Sequence, residues 1–256
     1  MFNCHVHTSF SSDCNMGINE AIEVLNEKKL GVIITDHMDL GLCEDGRFTF
    51  DVKEYFNEYE KYRNDRLLLG IEIGMTKDYK NENKKIALNS PFDYVLGSLH
   101  VVNGFDPFYD EYYVGKNKKE AYEEYFLCML ENIKIYDFID CLGHIDYIAR
   151  YGRFEDKEIY YDDYKDFIDE ILKIVAQRDI SIEINTRRLE DKVAYENLYN
   201  IYKRFKELGG KIVTIGSDSH KAIDIEKNLN EALKMIKDLK LTPVYYKNRK
   251  AVEYSI

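Results

Sequence analysis

Short apolar runs alternate with longer amphipathic stretches along the whole chain, and this alternation restricts the fold more than any other feature. The runs lie near residues 2–7, 31–36, 67–73, 92–99, 138–143, 180–185 and 211–216. A further short one, Thr242 to Tyr246, is expected as a peripheral strand. Gly31-Val32-Ile33-Ile34 is apolar on consecutive positions, the pattern of a parallel strand buried on both faces. Between the runs, Tyr122, Tyr125, Phe126, Met129, Leu130 and Ile133 recur with helical period, as do Tyr164, Phe167, Ile168, Ile171, Leu172 and Val175. Such stripes pack a helix against a sheet. Leu208-Gly209-Gly210-Lys211 marks a helix stop before the next strand. Alternating β and α units predict a parallel α/β sheet with right-handed crossovers. About seven repeats are enough to close a barrel, and such barrels build their sites at the C-terminal ends of the strands. At 256 residues and 45% hydrophobic content, the chain is expected to form one unit over residues 1–256.

The six histidines fall where that barrel would place a site. His5 and His7 share the first run, and His37, His100, His144 and His220 each close a later one. Imidazole is the commonest protein ligand for transition metals. Residues i and i+2 of a strand point to one face, so His5 and His7 are expected on one side, with Phe2, Cys4 and Val6 turned toward packed helices. Glu72 ends Leu67-Leu68-Leu69-Gly70-Ile71-Glu72, where a carboxylate is costly to bury unless paired or bound to metal. Asp218 and His220 form a second i, i+2 pair, and Asp13 follows the first strand close to the rim. Nine ligands, His5, His7, Asp13, His37, Glu72, His100, His144, Asp218 and His220, are too many for one zinc, which takes about four. They suit two or three divalent ions with a bridging carboxylate. Three such ions facing three carboxylates keep an excess of about three positive charges. That excess would attract a phosphate dianion and acidify a bound water.

Composition narrows the partners. A net charge of −11 argues against a general affinity for nucleic acid, whereas a small phosphorylated substrate is compatible with a metal cluster's local charge. The five cysteines show no Cys-x-x-Cys spacing, and no disulfide framework is expected, which fits a reducing compartment. There is no basic stretch followed by an apolar core at the N-terminus, and no apolar run near the ~20 residues of a membrane span. A cytoplasmic protein without membrane attachment is expected, of unspecified oligomeric state.

The ordered set His5-Val6-His7, Thr35-Asp36-His37, Gly70-Ile71-Glu72, Gly97-Ser98-Leu99-His100, Gly143-His144-Ile145-Asp146 and Ser217-Asp218-Ser219-His220 resembles the PHP (polymerase and histidinol phosphatase) superfamily, above all its monofunctional histidinol-phosphate phosphatase class. The resemblance runs from His5 to His220. It implies a distorted (β/α)7 TIM-like barrel carrying a trinuclear centre of Zn, Mn or Fe. Carried onto matching positions, one ion takes His5, His7, Glu72 and Asp218. A second shares Glu72 and adds His100 and His144. The third takes Asp13, His37 and His220. Many members of the superfamily carry histidine where this chain has Asp13, while histidinol phosphatases often carry aspartate.

A phosphoesterase also needs donors for the non-bridging oxygens, and arginine matches that geometry. Arg150 lies just past the His144 rim, and the resemblance supports a phosphate-binding arginine there. The sixth run ends Ile182-Glu183-Ile184-Asn185-Thr186-Arg187-Arg188 and brings no metal ligand. Glu183 and Asn185 are expected on its inward face. Histidinol phosphatases commonly continue Asn-Thr with a small residue and Gly before an arginine, so here Arg187 and Arg188 both stand as candidates, with strand parity favouring Arg187. Long loops are expected at Gly74–Pro91 and Val101–Gly115. The second, with Phe105, Asp106, Phe108, Tyr109, Asp110, Glu111, Tyr112 and Tyr113, would suit a substrate carrying an ammonium and an imidazole.

The expected activity is hydrolysis of L-histidinol phosphate by in-line attack of a metal-bridging hydroxide. Asp218 or His220 would return a proton to the leaving alkoxide. The alternatives are another small phosphate ester, a nucleotide or a phosphotyrosine protein as substrate, or a metal-holding scaffold without turnover.

Overall fold

The computed structural model describes residues 1–43 and 45–256. All seven apolar runs become strands: β1 (Phe2–Val6), β2 (Gly31–Ile34), β4 (Leu67–Gly74), β5 (Tyr94–Ser98), β6 (Cys141–Leu142), β7 (Ser181–Asn185) and β8 (Ile212–Gly216). A two-residue strand β3 (His37–Met38) pairs with β4, and β9 (Thr242–Lys247) and β10 (Lys250–Glu253) end the chain. The order is β1-β2-β4-β5-β6-β7-β8-β9-β10, parallel throughout except for the β9–β10 hairpin. Helices α1 (Ile18–Lys28), α2 (Val52–Tyr59), α3 (Lys80–Asn89), α4 (Lys118–Ile135), α5 (Tyr147–Tyr151), α6 (Tyr161–Gln177), α7 (Lys192–Glu207) and α8 (Leu229–Leu239) supply the crossovers. This is the TIM-like α/β arrangement that the alternation predicts.

Two expectations need correction. The segment 74–91 is not an open loop, because it contains α3. That helix is rich in Lys and Asn and buries only Asn83 and Ala87, so it shows no apolar period to read. The strand near 242–246 is not peripheral either. It pairs in parallel with β8, and its Val244 and Tyr246 enter the interior.

Two apolar layers form. Val32, Ile34, Leu67, Leu69, Ile71, Val95, Ile182, Ile184, Val213 and Ile215 pack outward against helix stripes such as Tyr125, Met129, Ile168 and Leu172. Phe2, Cys4, Ile33, Leu68, Tyr94, Leu96, Cys141, Val244 and Tyr246 fill the inside near the strand starts. The plug leaves the other half of the interior for the polar residues at the strand ends. Its hydroxyls find partners: Tyr246 OH donates to the Asp140 carbonyl over 2.8 Å.

The parity expected for β1 fails partway. Phe2 and Cys4 face the interior plug, while Val6 joins the outer layer. The register with β2 shifts between Asn3 and Val6, as a bulge does, and this turns His5 inward as well. Asn3 secures the irregularity. Its Oδ1 accepts from His5 N (3.2 Å) and Ser217 N (3.1 Å). Its Nδ2 donates to Ser217 Oγ (2.6 Å) and the Ile225 carbonyl (2.7 Å). Beside it, Asp218 N donates to the His5 carbonyl and His7 N to the Ser219 carbonyl, so the ends of β1 and β8 meet. Truncating Asn3 strands several buried polar groups, each worth about 1–3 kcal/mol. Asn3→Ala is therefore expected to lower the unfolding free energy by roughly 3 kcal/mol in urea titration. A loss under about 1 kcal/mol would show that the join does not rest on this side chain.

Candidate metal centre

The C-terminal ends of β1, β4, β5, β6 and β8 deliver their polar side chains to one buried cluster. Glu72 is fully buried at its middle. Its Oε1 lies 3.4 Å from His5 Nε2, 3.4 Å from His100 Nε2 and 3.0 Å from His144 Nε2. Its Oε2 lies 3.5 Å from His7 Nε2 and 3.0 Å from His37 Nδ1. Asp218 Oδ1 approaches His7 Nε2 at 3.3 Å and His5 Nε2 at 3.6 Å. Asp218 adopts a left-handed backbone with φ 53°, which Asp tolerates better than most residues. Asp13 Oδ2 lies 3.1 Å from His220 Nε2 and 3.8 Å from His37 Nε2. The structure thus gathers all nine residues singled out in the sequence.

These donors fit divalent ions. Five groups of three offer ligand atoms within 4.8 Å of one another: His7, His37 and His220; His5, His144 and Asp218; His5, His7 and Glu72; His37, Asp39 and His100; and Glu72, His100 and His144. His5 Nε2 and His7 Nε2 face each other at 3.0 Å, and His100 Nε2 and His144 Nε2 at 3.4 Å. Opposed nitrogens at such spacing need a proton or a cation between or beside them. Among the described residues, Glu72 Oε2, His37 Nδ1 and His220 Nε2 are buried next to polar atoms but without a well-aligned hydrogen bond, an expensive state unless a cation completes it.

The far sides of the rings are held as metal ligands require. His5 Nδ1 lies 2.7 Å from Glu183 Oε1, His7 Nδ1 3.0 Å from Ser11 Oγ, and His100 Nδ1 2.7 Å from Asp39 Oδ1. Each partner directs Nε2 to the cluster. Asp39 stands two residues after His37, and nothing in its sequence setting marks it for this role. Glu183, expected on the inward face of its strand, has its function set only by the fold. In the structure its second oxygen accepts from His144 N (2.8 Å) and Asn185 Nδ2 (3.1 Å), so one carboxylate braces two histidines from different strands. Gly216 makes room for it: a Cβ there would lie 2.0 Å from Glu183 Oε1 and 2.6 Å from His5 Cβ.

The charges of the cluster are mutually dependent. Burial raises the carboxyl pKa of Glu72, but His5, His100 and His37 outweigh it and hold the group well below the usual range. Burial likewise opposes ionisation of Asp218, and Arg150 and His5 overcome it. Burial disfavours the imidazolium of His100, yet Asp39 and Glu72 push its pKa up to about 10. His5 and His37 are raised by their carboxylate neighbours in the same way. His7 moves down through burial and the nearby His220 and His37, and His144 through burial and Arg150.

A cavity of ≈ 310 Å³ opens on the cluster, lined by Asp13, His37, Asp39, His100, Asp218 and His220 with Leu42, Phe48, Asp106, Phe108, Tyr109, Tyr147, Arg150, Tyr151 and Arg187. Arg150, on α5, donates through Nη1 to Asp218 Oδ2, and among the described residues its Nε and Nη2 have no partner. Arg187 Nη1 lies 3.5 Å from Asp218 Oδ2, with its side chain 44% exposed. Arg188 turns away from the cavity to Asp146 (3.2 Å) and Glu158; its guanidinium already has carboxylate partners, so its placement opposes the phosphate-binding expectation. The loop after β5 divides similarly. Asp106, Phe108 and Tyr109 line the cavity, whereas Tyr112 and Tyr113 are core residues, Phe105 is exposed and Asp110 pairs with Arg153.

The family model described as PHP domain matches residues 3–187. A probable histidinol-phosphatase of Clostridium acetobutylicum is 50% identical over 97% of this chain and 98% of its own length. A histidinol-phosphatase of Lactococcus lactis is 30% identical over 91% of this chain and 89% of its own. A crystal structure of histidinol phosphate phosphatase from Lactococcus lactis, complexed with Zn, L-histidinol and phosphate, superimposes with a TM-score of 0.91. It shares 28% identity and covers 98% of both chains.

Two outcomes follow from the geometry. Glu183→Gln keeps the size of the brace but weakens its hold on His5. It is expected to reduce zinc affinity by about 10- to 100-fold in a chelator competition, and unchanged affinity would remove Glu183 from the centre. In the metal-free protein His5, His37 and His100 hold protons that ligation must displace, and a higher pH leaves fewer to displace. Apparent zinc affinity should therefore rise from pH 6 to pH 9, with protons released in weakly buffered calorimetry. A pH-independent affinity would contradict this protonation pattern.

Proposed function

We propose that this chain, which belongs to the PHP domain family, hydrolyses L-histidinol phosphate to L-histidinol and phosphate. One observation carries the reading beyond family membership. A single cavity presents a metal-competent cluster, the guanidinium groups of Arg150 and Arg187, and the carboxylate of Asp106. The relatives at 50% and 30% identity carry the matching name.

Two or three divalent ions, of zinc, manganese or iron, would be held by His5, His7, Asp13, His37, Glu72, His100, His144, Asp218 and His220. When bound, they supply Lewis acidity and lower the pKa of a water nucleophile. Arg150 donates to the phosphoryl oxygens through Nε and Nη2, which the protein leaves unpartnered. Arg187, more exposed, closes on the phosphate from the cavity side. Of Asp218 and His220, both of which line the cavity, return of a proton to the departing alkoxide is assigned to His220, because Arg150 and His5 hold Asp218 ionised.

Asp106 accounts for the rest of the substrate. Its Oδ1 accepts from Phe108 N (2.8 Å) and Tyr147 OH (3.0 Å), and among the described residues it forms no ion pair. Burial raises its pKa, and a cation beside it would offset that cost. We assign it to the ammonium of the amino alcohol, with Phe108, Tyr109 and Tyr147 around the imidazole. The net charge of −11 favours a small ester over nucleic acid. The five free thiols suit a cytoplasmic setting, and no helix among the described residues is long and apolar enough to cross a membrane.

Phosphate release should be measured for histidinol phosphate, a nucleoside monophosphate, a phosphotyrosine peptide and phenyl phosphate. Histidinol phosphate is expected to have the highest kcat/KM, and a nucleotide or peptide ahead of it would overturn the substrate. In Asp106→Asn, KM for histidinol phosphate should rise roughly tenfold or more, while phenyl phosphate, which has no ammonium, is turned over as before. Equal losses on both substrates would count against the assignment.

A further inference from the structure

We propose that Asp36 and Ser11 form a positioning pair that fixes the tautomer of His7, and with it the ion site that His7 shares with His5 and Glu72, and that holds the backbone of His37 beside it. The proposal rests on the metal-dependent reading above but concerns residues that touch neither cavity nor ion. Asp36, Thr8 and Ser11 are fully buried. The Asp36 carboxylate accepts from Thr8 N (2.7 Å), Thr8 Oγ1 (2.6 Å), Ser11 N (3.1 Å) and Ser11 Oγ (2.7 Å). Tyr59 OH, from α2, donates to Thr8 Oγ1 over 2.9 Å.

The direction of these bonds settles the protons. Ser11 has one hydroxyl hydrogen, and it goes to Asp36. Its oxygen therefore only accepts, from His37 N at 3.1 Å and from His7 Nδ1 at 3.0 Å. His7 must carry its proton on Nδ1, which leaves Nε2 with a lone pair directed at Glu72 and Asp218. One carboxylate outside the cluster thus sets the tautomer of His7 and the backbone position of His37. It also holds the turn at residues 8–11 that leads to Asp13.

Full-length Ser11→Ala, loaded with Zn2+ alone, tests this. Chelator competition should show one zinc equivalent weakened about 10- to 100-fold, the same equivalent that His5→Ala weakens, so the double variant is no worse than His5→Ala. Long-range 1H–15N spectra of the zinc-loaded wild type should report His7 as the Nδ1–H tautomer, with that signal lost or shifted in Ser11→Ala. Asp36→Asn should reproduce both effects; if it does not fold, Ser11→Ala decides. A Ser11→Ala protein with wild-type zinc competition and an unchanged His7 spectrum overturns the proposal. Wild-type protein that binds no zinc overturns the metal reading, and the pair's role with it.

Discussion

A buried carboxylate must be balanced, and in this molecule the balance is struck around Glu72. Five of the six imidazoles lie within 3.5 Å of its two oxygens. An isolated ionised carboxylate in such a place would cost many kcal/mol, and so would the facing imidazoles without protons or ions among them. The strands must therefore end together at one rim, and their inward residues must be small or polar there. The far side of most rings is tied to a fixed acceptor. Glu183, Asp39 and Ser11 supply three of those acceptors from three different segments. Gly216 is glycine because one of those acceptors needs the space its side chain would fill.

The metal-competent cluster and the rest of the cavity wall sit on different parts of the framework. The imidazoles come from strand ends and from short stretches just beyond them, where backbone ladders fix their positions. The side chains on the opposite wall of the cavity come mostly from the loop after β5 and from α5. Arg150 joins the two regions, since it donates to Asp218 and also lies over the Tyr147 ring at 5.8 Å.

Much of this was legible in the sequence because both signals are local. Gly31-Val32-Ile33-Ile34 announces a buried strand, and a histidine at the end of such a run announces the rim. The helical stripes at 122–133 and 164–175 were equally plain, and their predicted faces are buried apart from a partly exposed Phe167. What could not be read depends on partners far apart in the chain. α3 has almost no apolar face and draws its order from its surroundings, as when Asn83 Nδ2 donates to the Gly74 carbonyl. Asp39 and Asp36 look like ordinary loop residues until the fold brings His100 to one and Thr8 and Ser11 to the other. Arg187 and Arg188 are adjacent and chemically equal in the sequence. Only the position of Asp146 and Glu158 separates them. The strict alternation assumed for β1 failed because register irregularities are set by the neighbouring strand.

That irregularity in β1 has a consequence for how the chain can vary. Because Cys4 and His5 both turn inward, the distance along the chain from the apolar plug to His7 is counted in a fixed number of residues, not in a repeating pattern. Phe2 or Cys4 can be exchanged for another side chain of similar bulk and the interior will adjust. Insertion or loss of one residue between Phe2 and His7 is different. It would send an imidazole out among the helices and bring an aliphatic group into the cluster. In the first seven residues spacing is thus as strict a constraint as the identities of Asn3, His5 and His7, while Phe2 and Cys4 answer mainly for bulk.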